Sequence, residues 1–225
     1  MVQAMTPFGS MLEPEITTVV LPPSELSLDR SLQPRAGDAL LLVDIQRDFL
    51  PGGALAVRDG DRVVPPALCL LNLFAGRSLP VFASRDWHPA AHCSFREQGG
   101  PWPAHCVAGT SGAAFAERLR LPAGAGIVSK ATRVESDAYS AFEGTDLGKR
   151  LGAAGVKRLF VAGLATDYCV LHSVVDAVAL GLSVVVLRDA IAAVDVREGD
   201  GARALQRMQE LGVTFADSAT VCRAA

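Results

Sequence analysis

The sequence predicts an α/β fold: a single doubly wound domain with a six-stranded, mainly parallel sheet and helices on both faces. Three observations carry this. Short continuous apolar runs, such as residues 39–43 and 158–162, suit strands buried on both sides. Helical patterns alternate with those runs. Asp44, Asp86, Lys130 and Cys169 each stand at or just past the end of a different run. Ligands of open parallel sheets gather at the carboxyl ends of the strands, so the four residues point to a single site.

In chain order, residues 1–36 lack a clear period and are broken by Pro14, Pro22, Pro23 and Pro34. They read as an extended or partly disordered arm, able to pack on the body or on a partner subunit. The domain then covers residues 37–225. Its first strand, 39–43, is followed by a Pro51-Gly52-Gly53 turn and a helix over 61–75. Pro65 and Pro66 fit only the first turn of that helix, which places its regular part from Val64. Residues 79–83 form the second strand, and 86–112 a long loop rich in His, Trp, Pro and Gly, too functional in composition for disorder. The third strand is 126–130. A helix over 145–154 follows, capped by Thr145 or Asp146. The fourth strand, 158–162, leads through a small-residue turn into a helix that holds Cys169 in its first turn and runs to about Leu180. The fifth strand (182–187), a helix (197–211) and a sixth strand (213–215) close the domain.

Composition excludes several classes of partner. The 225-residue chain is half hydrophobic and carries a net charge of −3, without a basic stripe, so nucleic acid is not an expected partner. No apolar run approaches the roughly 18 residues that span a bilayer, and the first residues lack a secretory pattern. Five cysteines at irregular spacing (Cys69, Cys93, Cys106, Cys169, Cys222) argue against a disulfide framework and for a reducing, cytoplasmic setting. A homo-oligomer is left open.

The residues at the strand ends make a coherent chemical set. A helix start favours a thiolate at Cys169. Asp44, closing an apolar run, is a desolvated carboxylate and a competent proton acceptor. Lys130 supplies a cation that itself needs an anionic partner when buried. Base, cation and nucleophile are thus present. In the long loop, Asp86-Trp87-His88 sets two metal-type ligands two residues apart, and His92 and His105 follow. One carboxylate with two imidazoles suits a divalent ion, zinc first, with iron or manganese as alternatives. Cys93 and Cys106 stand beside histidines, so a thiolate-ligated structural zinc competes with that reading.

Several stretches together resemble the nicotinamidases of the isochorismatase-like cysteine hydrolases. They are Val43-Asp44-Ile45-Gln46-Arg47-Asp48-Phe49, Ser84-Arg85-Asp86-Trp87-His88-Pro89, Trp102-Pro103 with His105, Ser129-Lys130, and Gly163-Leu164-Ala165-Thr166-Asp167-Tyr168-Cys169-Val170. The resemblance covers residues from about 38 to 216. It implies hydrolysis of nicotinamide to nicotinate and ammonia through a cysteine thioester, a step of pyridine-nucleotide salvage, with pyrazinamide as a second substrate. It assigns Asp44, Lys130 and Cys169 to the catalytic triad and Asp86, His88 and His105 to the metal, with His92 as an extra ligand in some members. It also implies a cis peptide before Ala165, an oxyanion hole from the N–H groups of Ala165 and Cys169, and a substrate pocket drawing on Phe49, Trp102, Tyr139 and Leu164. The alternatives are a related cysteine amidohydrolase for another small carboxamide and, more distantly, a non-catalytic metal-binding or thiol-redox module. The second explains neither Asp44 nor Lys130.

Overall fold

A computed structural model describes residues 30–223. Most of the expected N-terminal arm, residues 1–29, therefore lies outside the described residues. Six strands form one sheet: β1 (Asp38–Val43), β2 (Val81–Asp86), β3 (Gly126–Lys130), β4 (Arg158–Leu164), β5 (Ser183–Ala192) and β6 (Thr214–Ala216). Their order is β3-β2-β1-β4-β5-β6. Every neighbouring pair is parallel, more uniform than the mainly parallel sheet expected. The order reverses between β1 and β4, and crevices at such a switch point are where open α/β sheets bind ligands.

Side-chain alternation along β1 explains the double winding. Leu40 and Leu42 face one core with α1 (Val64–Gly76) and α5 (Ser218–Cys222). Ala39, Leu41 and Val43 face the other, filled by α2 (Leu147–Ala153), α3 (Leu171–Ala179) and α4 (Asp200–Glu210). Both cores are apolar, so a strand between them must be apolar at every position. Pro65 and Pro66 occupy the first turn of α1, where no intrahelical N–H is lost. Phe74 of α1 meets Phe160 of β4 edge-on at 5.3 Å, a pair that contributes about 1 kcal/mol beyond its buried area.

Two features of the elements bear on the site. The long loop expected over 86–112 is present: the link from β2 to β3, residues 87–125, contains no α-helix and packs against the segment that follows β1. Thr166–Val170 is a π-helical turn, with the Val170 N–H bonded to Ala165 O at 3.1 Å, and α3 starts only after it. Cys169 thus sits in a widened turn rather than in the first turn of an α-helix.

The described part of the arm packs on the body. The Arg158 guanidinium pairs with Asp38 and donates to the carbonyls of Ser31 and Gln33. Cys69 of α1 and Cys222 of α5 lie side by side, with Cα atoms 6.6 Å apart. Their helices are neighbours, a proximity hidden by a sequence separation of 153.

Candidate active site

β1, β3 and β4 each deliver one polar residue to the same point. Asp44 follows β1 with a positive φ of 46°, and Ser84 Oγ donates to its Oδ1 at 2.7 Å. Lys130, 1% exposed at the end of β3, reaches across to it. Its N–H groups serve Ala138 O (3.1 Å), Cys169 Sγ (3.4 Å) and Asp86 Oδ1 in a short bond. Asp44 Oδ2, 3.1 Å from the same ammonium, remains an ion-pair partner without a hydrogen bond of its own among the described residues. The acid oxygens and Cys169 Sγ lie within 4.8 Å of one another. The ammonium already touches all three, so this cluster holds Lys130 rather than a metal.

The electrostatics follow from one cation serving three acids. Burial opposes charge on Lys130, but Asp44 and Asp86 beside it hold its pKa well above the ordinary value. Burial also favours the neutral form of Asp86, yet the Lys130 ammonium and His88 together outweigh it and hold this carboxyl well below the usual range. Asp44 and Cys169 are left less compensated, and burial pushes both above their ordinary values. Desolvation and the two neighbouring carboxylates thus oppose the thiolate that the ammonium and a helix start favour.

Asp86 also faces the second cluster. Its Oδ2 lies 3.7 Å from His88 Nε2 and 4.0 Å from His105 Nε2, and all three residues are buried. His105 Nδ1 meets Pro103 O at 2.8 Å and His88 Nδ1 meets Ala131 O at 3.3 Å. A carbonyl can only accept, so both Nδ1 atoms carry a proton, and in the neutral imidazoles the Nε2 lone pairs are left on the Asp86 side. His88 Nε2 is buried without a hydrogen-bond partner among the described residues. Backbone carbonyls orienting imidazoles, and an orphaned lone pair aimed at a carboxylate, are what a divalent cation requires. The donor set fits.

Other expected ligands fall elsewhere. His92 packs its ring 4.2 Å from that of His88, but its Nδ1 meets Ser94 Oγ (2.7 Å) and its Nε2 faces Ser136 O (3.2 Å), so it is outside the donor cluster. Cys93 and Cys106 are outside it too, and burial pushes the Cys106 thiol far above its ordinary pKa. The thiolate-ligated alternative has no support in this geometry.

Both clusters open into one cavity, reached by Cys169 from the first and by Asp86, His88 and His105 from the second. Phe49, Trp102 and Tyr139 line it as expected, with Trp102 Nε1 donating to Tyr139 Oη at 3.1 Å. Ala165 and Cys169 line it as well. The Leu164–Ala165 peptide is cis, and the Ala165 N–H meets no acceptor among the described residues. Leu164 is corrected: it is fully buried in the core on the α1 side, and the pocket wall is Ala165 instead.

A sequence model of the isochorismatase domain matches residues 38–220. The chain belongs to the isochorismatase family. Among its relatives is a nicotinamidase of Escherichia coli (strain K12), 40% identical over 198 residues that make up 79% of this chain and 93% of that protein. Solved members with the same fold include a pyrazinamidase of Pyrococcus horikoshii in complex with zinc, 46% identical with a TM-score of 0.77 over 80% of this chain and 99% of that one. Another is PnC1 from L. infantum in complex with nicotinate, 34% identical with a TM-score of 0.75 over 84% and 96% of the two chains.

In this isochorismatase-family site, sequence reasoning missed Leu55, Val57, Tyr168 and Val194 of the cavity wall. Tyr168 was within reach, since it precedes Cys169 and its ring meets Trp102 edge-on at 5.2 Å. Val194 gave no signal. It is brought in by Asp167, whose carboxylate accepts the N–H groups of Val194 (2.9 Å) and Asp195 (2.8 Å).

Proposed function

We propose that this chain is a metal-dependent nicotinamidase that hydrolyses nicotinamide to nicotinate and ammonia, and pyrazinamide by the same route. The observation that carries the reading is Lys130. Its ammonium joins Asp44 and Cys169 on one side to Asp86 on the other, and Asp86 faces both histidines across the same cavity. The names of the E. coli, P. horikoshii and L. infantum relatives support the same substrate class.

Asp44 takes the Cys169 proton as sulfur bonds to the carboxamide carbon. The carbonyl oxygen becomes an oxyanion that accepts from the Ala165 and Cys169 N–H groups, each worth on the order of 3 kcal/mol in the transition state. As the C–N bond breaks, Asp44 returns the proton to the leaving nitrogen and ammonia departs. Water then attacks the thioester while Asp44 accepts its proton, and the thiol re-forms as nicotinate is released. Lys130 stays charged throughout and stabilises whichever of Asp44 and Cys169 is the anion. Asp86, His88 and His105 would hold a divalent ion, zinc by their donor set, which would supply a Lewis-acid contact for the pyridine nitrogen. Phe49, Trp102 and Tyr139 bound the flat ring.

The test is nicotinamide-dependent ammonia release by the purified protein. It is expected in the wild type and lost by about 10⁴-fold or more in Cys169→Ala. Substantial turnover in that variant would remove the nucleophile assignment.

A further inference from the structure

The segment after β1 carries two polar side chains that the reaction does not use. Gln46, two residues past Asp44, is fully buried. Its Oε1 accepts the Asp86 N–H at 2.7 Å, and its Nε2 donates to Asp86 O at 2.8 Å and to Ala113 O at 2.9 Å. The amide thus pairs with both backbone groups of Asp86, as a neighbouring strand would, at the point where β2 ends. Both of its N–H groups are used. Asp48, two residues on again, accepts the Cys106 N–H at 2.7 Å, next to His105, and the Ala54 N–H at 3.3 Å. Gly112 makes room for it, since a Cβ there would overlap the Asp48 carboxylate.

We infer that Gln46 and Asp48 are positioning residues for the metal site. Gln46 fixes the backbone of Asp86 and Asp48 fixes the chain beside His105. The inference rests on Asp86, His88 and His105 being the ligands. The need for such a frame is geometric. Asp86 has to offer Oδ1 to Lys130 and Oδ2 to the histidines at once, so a small shift of its backbone breaks one contact or the other. Because Gln46 and Asp44 belong to one short segment, the frame also fixes the metal site relative to the proton acceptor. Outer partners of this kind act through the ligands they hold, and their loss weakens metal binding while leaving the ligands present.

The test uses zinc(II) alone with the full chain, measured by competition against a chromophoric chelator. Gln46→Glu keeps the shape but sets carboxylate oxygens against Asp86 O and Ala113 O, and Asp48→Ala removes the second tie. Zinc affinity is expected to fall roughly 10–100-fold in each. The rate of Cys169 alkylation by iodoacetamide, followed by mass spectrometry, changes by less than the zinc affinity does, because the sulfur is held from β4 and Asp86 reaches it only through Lys130. A folded variant with undiminished zinc affinity overturns the inference, and so does equal loss of zinc affinity and thiol reactivity. Should Gln46→Glu fail to fold, Gln46→Met fills the same space without charge and carries the same expectation. If that variant also unfolds, Gln46 is a fold determinant and the positioning role falls. Wild-type protein that binds no zinc would refute the ligand assignment itself, and that is visible before any variant is compared.

Discussion

At Cys169 the deciding quantity is which group holds the proton. The sequence placed a thiol, a carboxylate and an ammonium together, and all three were legible because each stands at or just past the end of a strand run. Their charge states were not legible, because they depend on Asp86 competing for the same ammonium from another strand. The acceptor is Asp44, and it works only when ionised. Burial raises its pKa, while the Ser84 hydroxyl, bonded to Oδ1, lowers it. Removing that hydroxyl therefore raises the pKa further, and the ionised fraction at a given pH falls. Ser84→Ala is expected to move the acidic limb of kcat/KM to higher pH by roughly one unit, a hydrogen bond to a charged group being worth about 1.5 kcal/mol or more. The measurement is the pH profile of ammonia release at saturating zinc. An acidic limb that does not move would mean that Asp44 is not the titrating group.

Among the elements, the β1–β4 pair sets the spacing of acceptor and nucleophile. Gly163 lies opposite Val43 with φ of 133°, and a Cβ built on it would overlap the Val43 backbone. Glycine is required there for conformation and for approach alike. Gly163→Ala is expected to cost about 2–5 kcal/mol, combining backbone strain with overpacking. Thermal unfolding would show a lowered Tm, and residual activity would fall further than the folded fraction, because Asp44 and Cys169 flank the displaced pair. Activity that tracks the folded fraction alone would show that the spacing is not set here. Both strands were readable as continuous apolar runs. The end of β4 was not: the register against β5 shifts between Val161 and Gly163, which upsets simple alternation and hides that Leu164 faces the core. α5 escaped notice for a different reason, being five residues long and too short for a helical period.

Over the whole molecule, the three metal-type ligands stand apart from the two cores. Both faces of the sheet are filled without Asp86, His88 or His105, which belong to the end of β2 and to the 87–125 link. That link showed its residue types in the sequence but not its path, since its contacts join residues far apart, such as Gln46 with Ala113 and Asp48 with Cys106. Removing the metal should consequently affect ligand binding before it affects the fold. The Cys169→Ala variant allows this to be measured without turnover. Its affinity for nicotinamide, by titration calorimetry, is expected to weaken by at least about tenfold after chelation, a loss of about 1.4 kcal/mol. Far-UV circular dichroism should stay native, because no core residue depends on the ion. Added zinc should restore the affinity. Binding that chelation leaves unchanged would place the ring elsewhere in the cavity and remove the orienting role from Asp86, His88 and His105. Loss of the native spectrum would instead make the metal a structural part of the fold, contrary to cores that close without it.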